Sequence, residues 1–145
     1  MPRQTKQKTN MGLDMYAYSV PAEYVVDDFE FKKSEDGDRP EDIVEICYWR
    51  KHRHLHNYME KLYREKGGTA PSFNCTPVRL TLEDLGKLED LIKSEELKDY
   101  GNPGFFFGSS DLYEFPEDKK RDLVFILEAR LAIEAGNSVY YDSWW

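Results

Sequence analysis

The chain has no apolar run near the ~18 residues that a membrane-crossing helix needs, and only two cysteines, Cys47 and Cys75, in 145 residues. It also has none of the short motifs that announce a catalytic or cofactor site. The first absence excludes a membrane-spanning helix. The second excludes a disulfide framework: two thiols in a chain without an export-signal pattern are expected to be reduced, which places the protein in the cytoplasm. The third removes whole reaction classes. There is no G-x-S-x-G, no lysine of a phosphate-binding loop after Gly108-Ser109-Ser110, no H-E-x-x-H and no C-x-x-C, so hydrolytic serine, P-loop and zinc-protease chemistry have no support and no cofactor is expected. Internal repeats are absent too, which excludes a solenoid.

Basic charge is in short supply. Twenty Lys and Arg stand against 28 Asp and Glu, a net charge of −8. Affinity for DNA or RNA comes largely from neutralising phosphates, so general nucleic-acid binding is not expected. The charge is uneven. Residues 23–45 hold ten acids against Lys32, Lys33 and Arg39, whereas residues 50–66 hold six Lys and Arg and three His against Glu60 and Glu65.

What the chain has in excess is aromatic: ten Tyr, eight Phe and three Trp. Several lie in short alternating runs, which suits a pleated sheet with one packed and one wetter face. From Leu13 to Val20, Leu13, Met15 and Ala17 alternate with Asp14, Tyr16 and Tyr18, the period-two mark of a strand. Residues 27–41 read as a solvated acidic loop, and 42–48 as a second strand with Val44, Ile46 and Tyr48 on one side. A helix over about 50–66 carries Leu55, Tyr58, Met59, Leu62 and Tyr63 as one stripe, stopped by Gly67-Gly68. Residues 78–80 are a short strand. Thr81 with Asp84 resembles a capping box for a second helix, with Leu82, Leu85, Leu88, Leu91 and Ile92 expected on its buried side. Phe105–Phe107 is an apolar strand, and Pro116 opens a third helix whose apolar positions are Leu123, Ile126, Leu127 and Leu131. Residues 139–145 make a last strand. Residues 1–10 are expected to be a flexible extension, and 11–145 one α+β domain: a mixed, largely antiparallel sheet of about five short strands with three helices mainly on one face.

Four blocks together resemble one family. Met-Gly-Leu-Asp-Met-Tyr (11–16), Tyr-Trp-Arg-Lys with Leu-His-Asn (48–51 and 55–57), Gly-Phe-Phe-Phe-Gly-Ser (104–109) and Tyr-Tyr-Asp-Ser-Trp-Trp (140–145) are similar to blocks of small, uncharacterised bacteriophage and prophage proteins. The resemblance implies that residues 1–10 are an addition and that the protein acts in the cytoplasm of an infected or lysogenic bacterium.

The corner from Tyr48 to Asn57 is the richest stretch. Where a strand yields to a helix, free backbone N–H groups and cations can meet an anion. Arg50 is the bidentate candidate, with Lys51 as a second charge; His56 faces the Leu55 side with Asn57 beside it. Asp14, Ser109 and Trp144 complete the candidate ligand-binding set, and no residue is assigned as catalytic. His52 and His56 share a helix face, but their spacing to Cys47 and Cys75 follows no zinc pattern and no metal is expected. Three functions follow: a binder of a host protein or of a small phosphorylated or nucleotide-like anion; a small enzyme on such a substrate with His56 as acid/base; or an acidic mimic of nucleic acid built on 23–45. The first is preferred, an oligomeric state is not legible, and the prediction is that Arg50, His56 and Trp144 line one pocket.

Overall fold

The computed structural model describes residues 12–32, 39–99 and 116–145. Its elements are β1 (Asp14–Val20), a 3-10 turn (Ala22–Tyr24), β2 (Val25–Asp27), β3 (Glu30–Phe31), β4 (Val44–Arg50), α1 (Arg53–Glu65), β5 (Val78–Leu80), α2 (Leu82–Ser94), a 3-10 turn (Glu96–Asp99), α3 (Pro116–Glu134) and β6 (Ser138–Trp144). The main sheet has the order β4-β1-β6-β5, and β2-β3 form a separate two-stranded ribbon. Each pairing is antiparallel. The protein is thus α+β. The expected Phe105–Phe107 strand lies outside the described residues.

The alternation of β1 does what period two requires. Met15 and Ala17 are fully buried while Asp14, Tyr16 and Tyr18 are half-buried on the other face. Beside it β4 slips register between Ala17↔Cys47 and Tyr18↔Glu45, leaving Ile46 as the extra residue of a bulge. The bulge breaks the expected Val44–Ile46–Tyr48 alternation: Val44 and Tyr48 are exposed, and Trp49 is the residue driven into the core. Trp49 meets Phe125 of α3 edge to face at 4.9 Å. Burying a ring of that size removes more apolar area than any aliphatic residue nearby, and large apolar side chains stabilise by roughly 1.5–3 kcal/mol each.

The helices pack on the face carrying Met15, Ala17, Trp49, Val78, Leu80, Val139 and Tyr141, which join residues of α1, α2 and α3 in one core. On the opposite face Val20, Phe31, Ile43 and Tyr140 form a second, smaller cluster under the β2-β3 ribbon. The Tyr140 hydroxyl donates to the Asp27 carbonyl at 2.5 Å. Part of the expected solvated loop is therefore packed instead, because Phe29 meets Tyr63 and Phe31 meets Tyr140.

The apolar stripe of α1 is buried throughout, and α2 begins with the capping box: Asp84 N–H donates to the Thr81 hydroxyl at 3.1 Å and Thr81 N–H to the Asp84 carboxylate at 2.9 Å. α1 ends in a Schellman motif. Gly67 takes φ +106°, and Gly68 N–H returns to the Tyr63 carbonyl at 2.9 Å. A Cβ at Gly68 would sit 2.2 Å from the Tyr63 ring. That ring cannot easily move, being held between Phe29 and Phe73, with its hydroxyl accepting from Ala70 N–H. Gly68→Ala is therefore expected to cost about 1–3 kcal/mol, as overpacking does, read as a lower urea midpoint at unchanged slope.

Of the side of α2 expected to be buried, Leu85, Leu88 and Ile92 are buried and Leu91 partly so, whereas Leu82, in the first turn, is exposed to solvent. In α3 the expected apolar set divides. Phe125, Ile126 and Ala129 are buried, whereas Leu127 and Leu131 are each 57 % exposed. The helix is apolar on both sides, so periodicity alone does not reveal which side meets the sheet.

Candidate functional site

The β4–α1 corner turns sharply because Lys51 adopts φ 59° and its N–H is fixed to the Leu13 carbonyl at 2.8 Å. His52 is the N-cap of α1 yet makes no side-chain cap. Its imidazole is used elsewhere: Nε2 lies 2.7 Å from Asp122 Oδ2, and the Trp49 indole N–H donates to Asp122 Oδ1 at 2.7 Å. Asp122 is buried in α3, 1 % exposed. One carboxylate thus ties the last turn of β4, the start of α1 and the middle of α3 together.

One turn further, His56 points into a recess between α1, the residue 71–73 loop and the end of β6. Its Nδ1 meets the Tyr141 hydroxyl at 2.6 Å. Phe73 lies 5.1 Å from the imidazole, and Trp145 stands perpendicular to it at 5.0 Å. Burial, aided by the charge of Arg53, lowers the His56 pKa from 6.5 to about 4, so the ring is neutral at pH 7. Burial also pushes the Tyr141 phenol well above its ordinary value. Trp145 is positioned by Asn74, which accepts from Trp145 N–H at 3.0 Å and donates to its carbonyl at 3.1 Å. The recess encloses about 510 Å³ and is lined by Gly12, Leu13, Arg53, His56, Glu60, Phe73 and Trp145, among others.

The predicted set is divided between the two faces of the sheet. Asp14 is the register partner of both Arg50 and Trp144, so these three share the face away from the helices. There Asp14 Oδ1 accepts from the Tyr48 hydroxyl at 2.6 Å and lies 4.0 Å from Arg50 Nε. Tyr48, Tyr16 and Tyr18 continue as a row of rings at 5.4 and 6.0 Å, with the Arg39 guanidinium 4.9 Å above Tyr18. Burial pushes the Tyr16 phenol up to about 12. His56 is on the helix side with Trp145, not Trp144. Arg50, His56 and Trp144 do not line one pocket. Lys51 is exposed in the turn, Asn57 is half-buried on α1, and Ser109 lies outside the described residues.

Of the residues lining the recess only His56 belongs to the predicted set; Arg53, Glu60, Phe73 and Trp145 are among those that do not. Arg53 and Glu60 carried a signal, since they lie three before and four after His56 and so share its helix face. Among the described residues no group of three or more His, Cys, Asp or Glu is placed to hold a metal ion. Cys75 is exposed, and burial pushes the half-buried Cys47 thiol up to about 12, which removes it as a thiolate nucleophile at neutral pH. In the acidic stretch, Asp28 is taken up by Arg79 at 2.7 Å. Among the described residues no helix is long and apolar enough to cross a membrane.

The chain matches no protein-family model, no curated protein and no solved structure.

Proposed function

We propose that this chain is a non-enzymatic binding protein that holds a small phosphorylated or nucleotide-like ligand in the His56 recess. The observation that carries the reading is the pairing of an exposed aromatic surface with a cation at one mouth: Trp145, 46 % exposed, and Arg53 both line a volume of about 510 Å³. That volume falls in the range of ~300–1,000 Å³ typical of small-ligand sites. An indole face stacks any nucleobase, a contact worth about 1–3 kcal/mol. A guanidinium grips phosphate bidentately, and Glu60 offers an acceptor to a base or sugar N–H or O–H. The neutral imidazole of His56 presents no charge that would oppose a base edge. The resemblance to small bacteriophage and prophage proteins sets this role in host takeover or counter-defence.

The enzymatic alternative, with His56 as acid/base, is weaker. A general acid or base works best with a pKa near the working pH, whereas burial holds His56 at about 4. The alternative of a host protein as partner draws on the other face, where Tyr48 and Trp144 are exposed beside Asp14 and Arg50.

The test is thermal shift against a panel of nucleotides and cyclic nucleotides, followed by calorimetric titration of any hit. A ligand at 100 times its dissociation constant stabilises by about 2.7 kcal/mol. Trp145→Ala is expected to weaken binding by roughly tenfold to a hundredfold, the equivalent of one lost stack, with Arg53→Ala similarly impaired and Arg50→Ala unchanged. No shift with any nucleotide defeats the ligand reading and leaves the protein-partner one.

A further inference from the structure

We propose that the outward face of α3 is a self-association seam, on which two copies of the chain pair with their α3 helices antiparallel. The face is defined by Lys120, Val124, Leu127, Leu131 and Glu134, spaced four, three, four and three residues apart. That is the alternation of a two-helix seam, in which residues repeat every 3.5 positions along one side. It runs opposite the side on which Phe125, Ile126 and Ala129 enter the core. Val124, Leu127 and Leu131 are 41, 57 and 57 % exposed, and a shallow groove of about 380 Å³ runs beside them, lined by Lys119, Lys120, Leu123, Val124 and Leu127. A surface helix would normally carry polar residues at these positions.

The charges choose the occupant. Lys120 and Glu134 stand seven residues before and after Leu127, and among the described residues neither has an ion-pair partner, whereas Lys119 is held by Glu95 at 3.2 Å and Arg130 by Glu89 at 2.8 Å. A two-fold axis through Leu127 brings Lys120 of each copy onto Glu134 of the other, and Val124 against Leu131. A parallel pair would oppose like charges at both ends, so the antiparallel arrangement is selected. The surface is self-complementary, as an isologous interface must be. A 19-residue helix is about 28 Å long, so the contact is at the small end of specific interfaces and the dimer belongs in the micromolar range.

Sedimentation velocity from about 1 to about 500 µM, at ~0.15 M salt where exposed charges are realistically screened, tests this. The wild type is expected to pass from monomer to dimer. Leu127→Glu is expected to raise the dissociation constant at least about tenfold with an unchanged circular dichroism spectrum, because the side chain is exposed in the monomer. Lys120→Glu is expected to weaken association, and Lys120→Glu with Glu134→Lys to restore it. A monomer at every concentration overturns the proposal. So does a dimer indifferent to Leu127→Glu, and failure of the double reversal to restore association overturns the antiparallel pairing.

Discussion

Asp122→Ala is expected to destabilise the fold by about 3–5 kcal/mol, the usual cost of removing one partner from a buried polar or ionic set. The carboxylate is 1 % exposed and takes a hydrogen bond from the Trp49 indole at 2.7 Å while pairing with His52 at 2.7 Å. Alanine leaves the indole N–H, fully enclosed beside Phe125, without its acceptor, and a buried unmade hydrogen bond costs about 1–3 kcal/mol by itself. It also releases His52, the residue at which β4 hands the chain to α1. Asp122→Asn keeps the shape and one acceptor oxygen, so it is expected to fall between wild type and alanine. Chemical denaturation followed by tryptophan fluorescence reads both variants. A loss below about 1 kcal/mol in Asp122→Ala would show that the three elements are held by apolar packing alone.

That residue illustrates where sequence reasoning stopped. Asp122 sits three, four and seven positions before Phe125, Ile126 and Ala129, so it lies on the buried side of α3, and a lone carboxylate on an apolar face is a signal of an internal partner. The signal was masked because α3 is apolar on both sides, which made Leu127 and Leu131 equally good core candidates. Elements with a single apolar face were legible: β1 from its alternation, α1 from its stripe and glycine stop, α2 from its capping box. The β2-β3 ribbon was not, since three of its seven residues are acids and its reason for folding is tertiary, the docking of Phe31 on Tyr140 at 5.0 Å.

The candidate site was legible by segment and not by face. His56 lies on the inner side of α1, as its place beside Leu55 implies. Trp145 directly follows Trp144, the last residue of β6, and one position along extended chain reverses the side on which a side chain emerges. Choosing Trp144 therefore linked His56 to the wrong surface. The same parity separates Arg50 from the recess while Arg53, at the first position of α1, lines it. A bulge and a left-handed residue, at Ile46 and Lys51, set that parity, and neither has a composition that announces it.

His56 supplies the second large effect, a dependence of stability on pH. Its pKa falls from 6.5 to about 4 on folding, because burial among Phe73, Tyr141 and Trp145 disfavours the charged ring, and the Arg53 cation adds to this. Between those two values the unfolded chain binds a proton that the folded chain refuses, so stability rises with pH across that window. The contribution is complete above about pH 6.5 and is lost as pH falls toward 4, about 3 kcal/mol in all at 1.36 kcal/mol per unit. Glu89, held below the usual carboxylate range by hydrogen bonds from Arg130 and Lys93, loses its share only at lower pH, so the upper part of the window belongs to His56. His56→Gln keeps polar atoms near the Tyr141 hydroxyl but has no proton to gain. Urea denaturation at half-unit steps from pH 7 to 4.5 should show the wild type losing stability faster than the variant, by up to ~1.4 kcal/mol per pH unit. Parallel profiles would mean that the imidazole is solvated in the folded protein, and with it the recess would lose its dry wall.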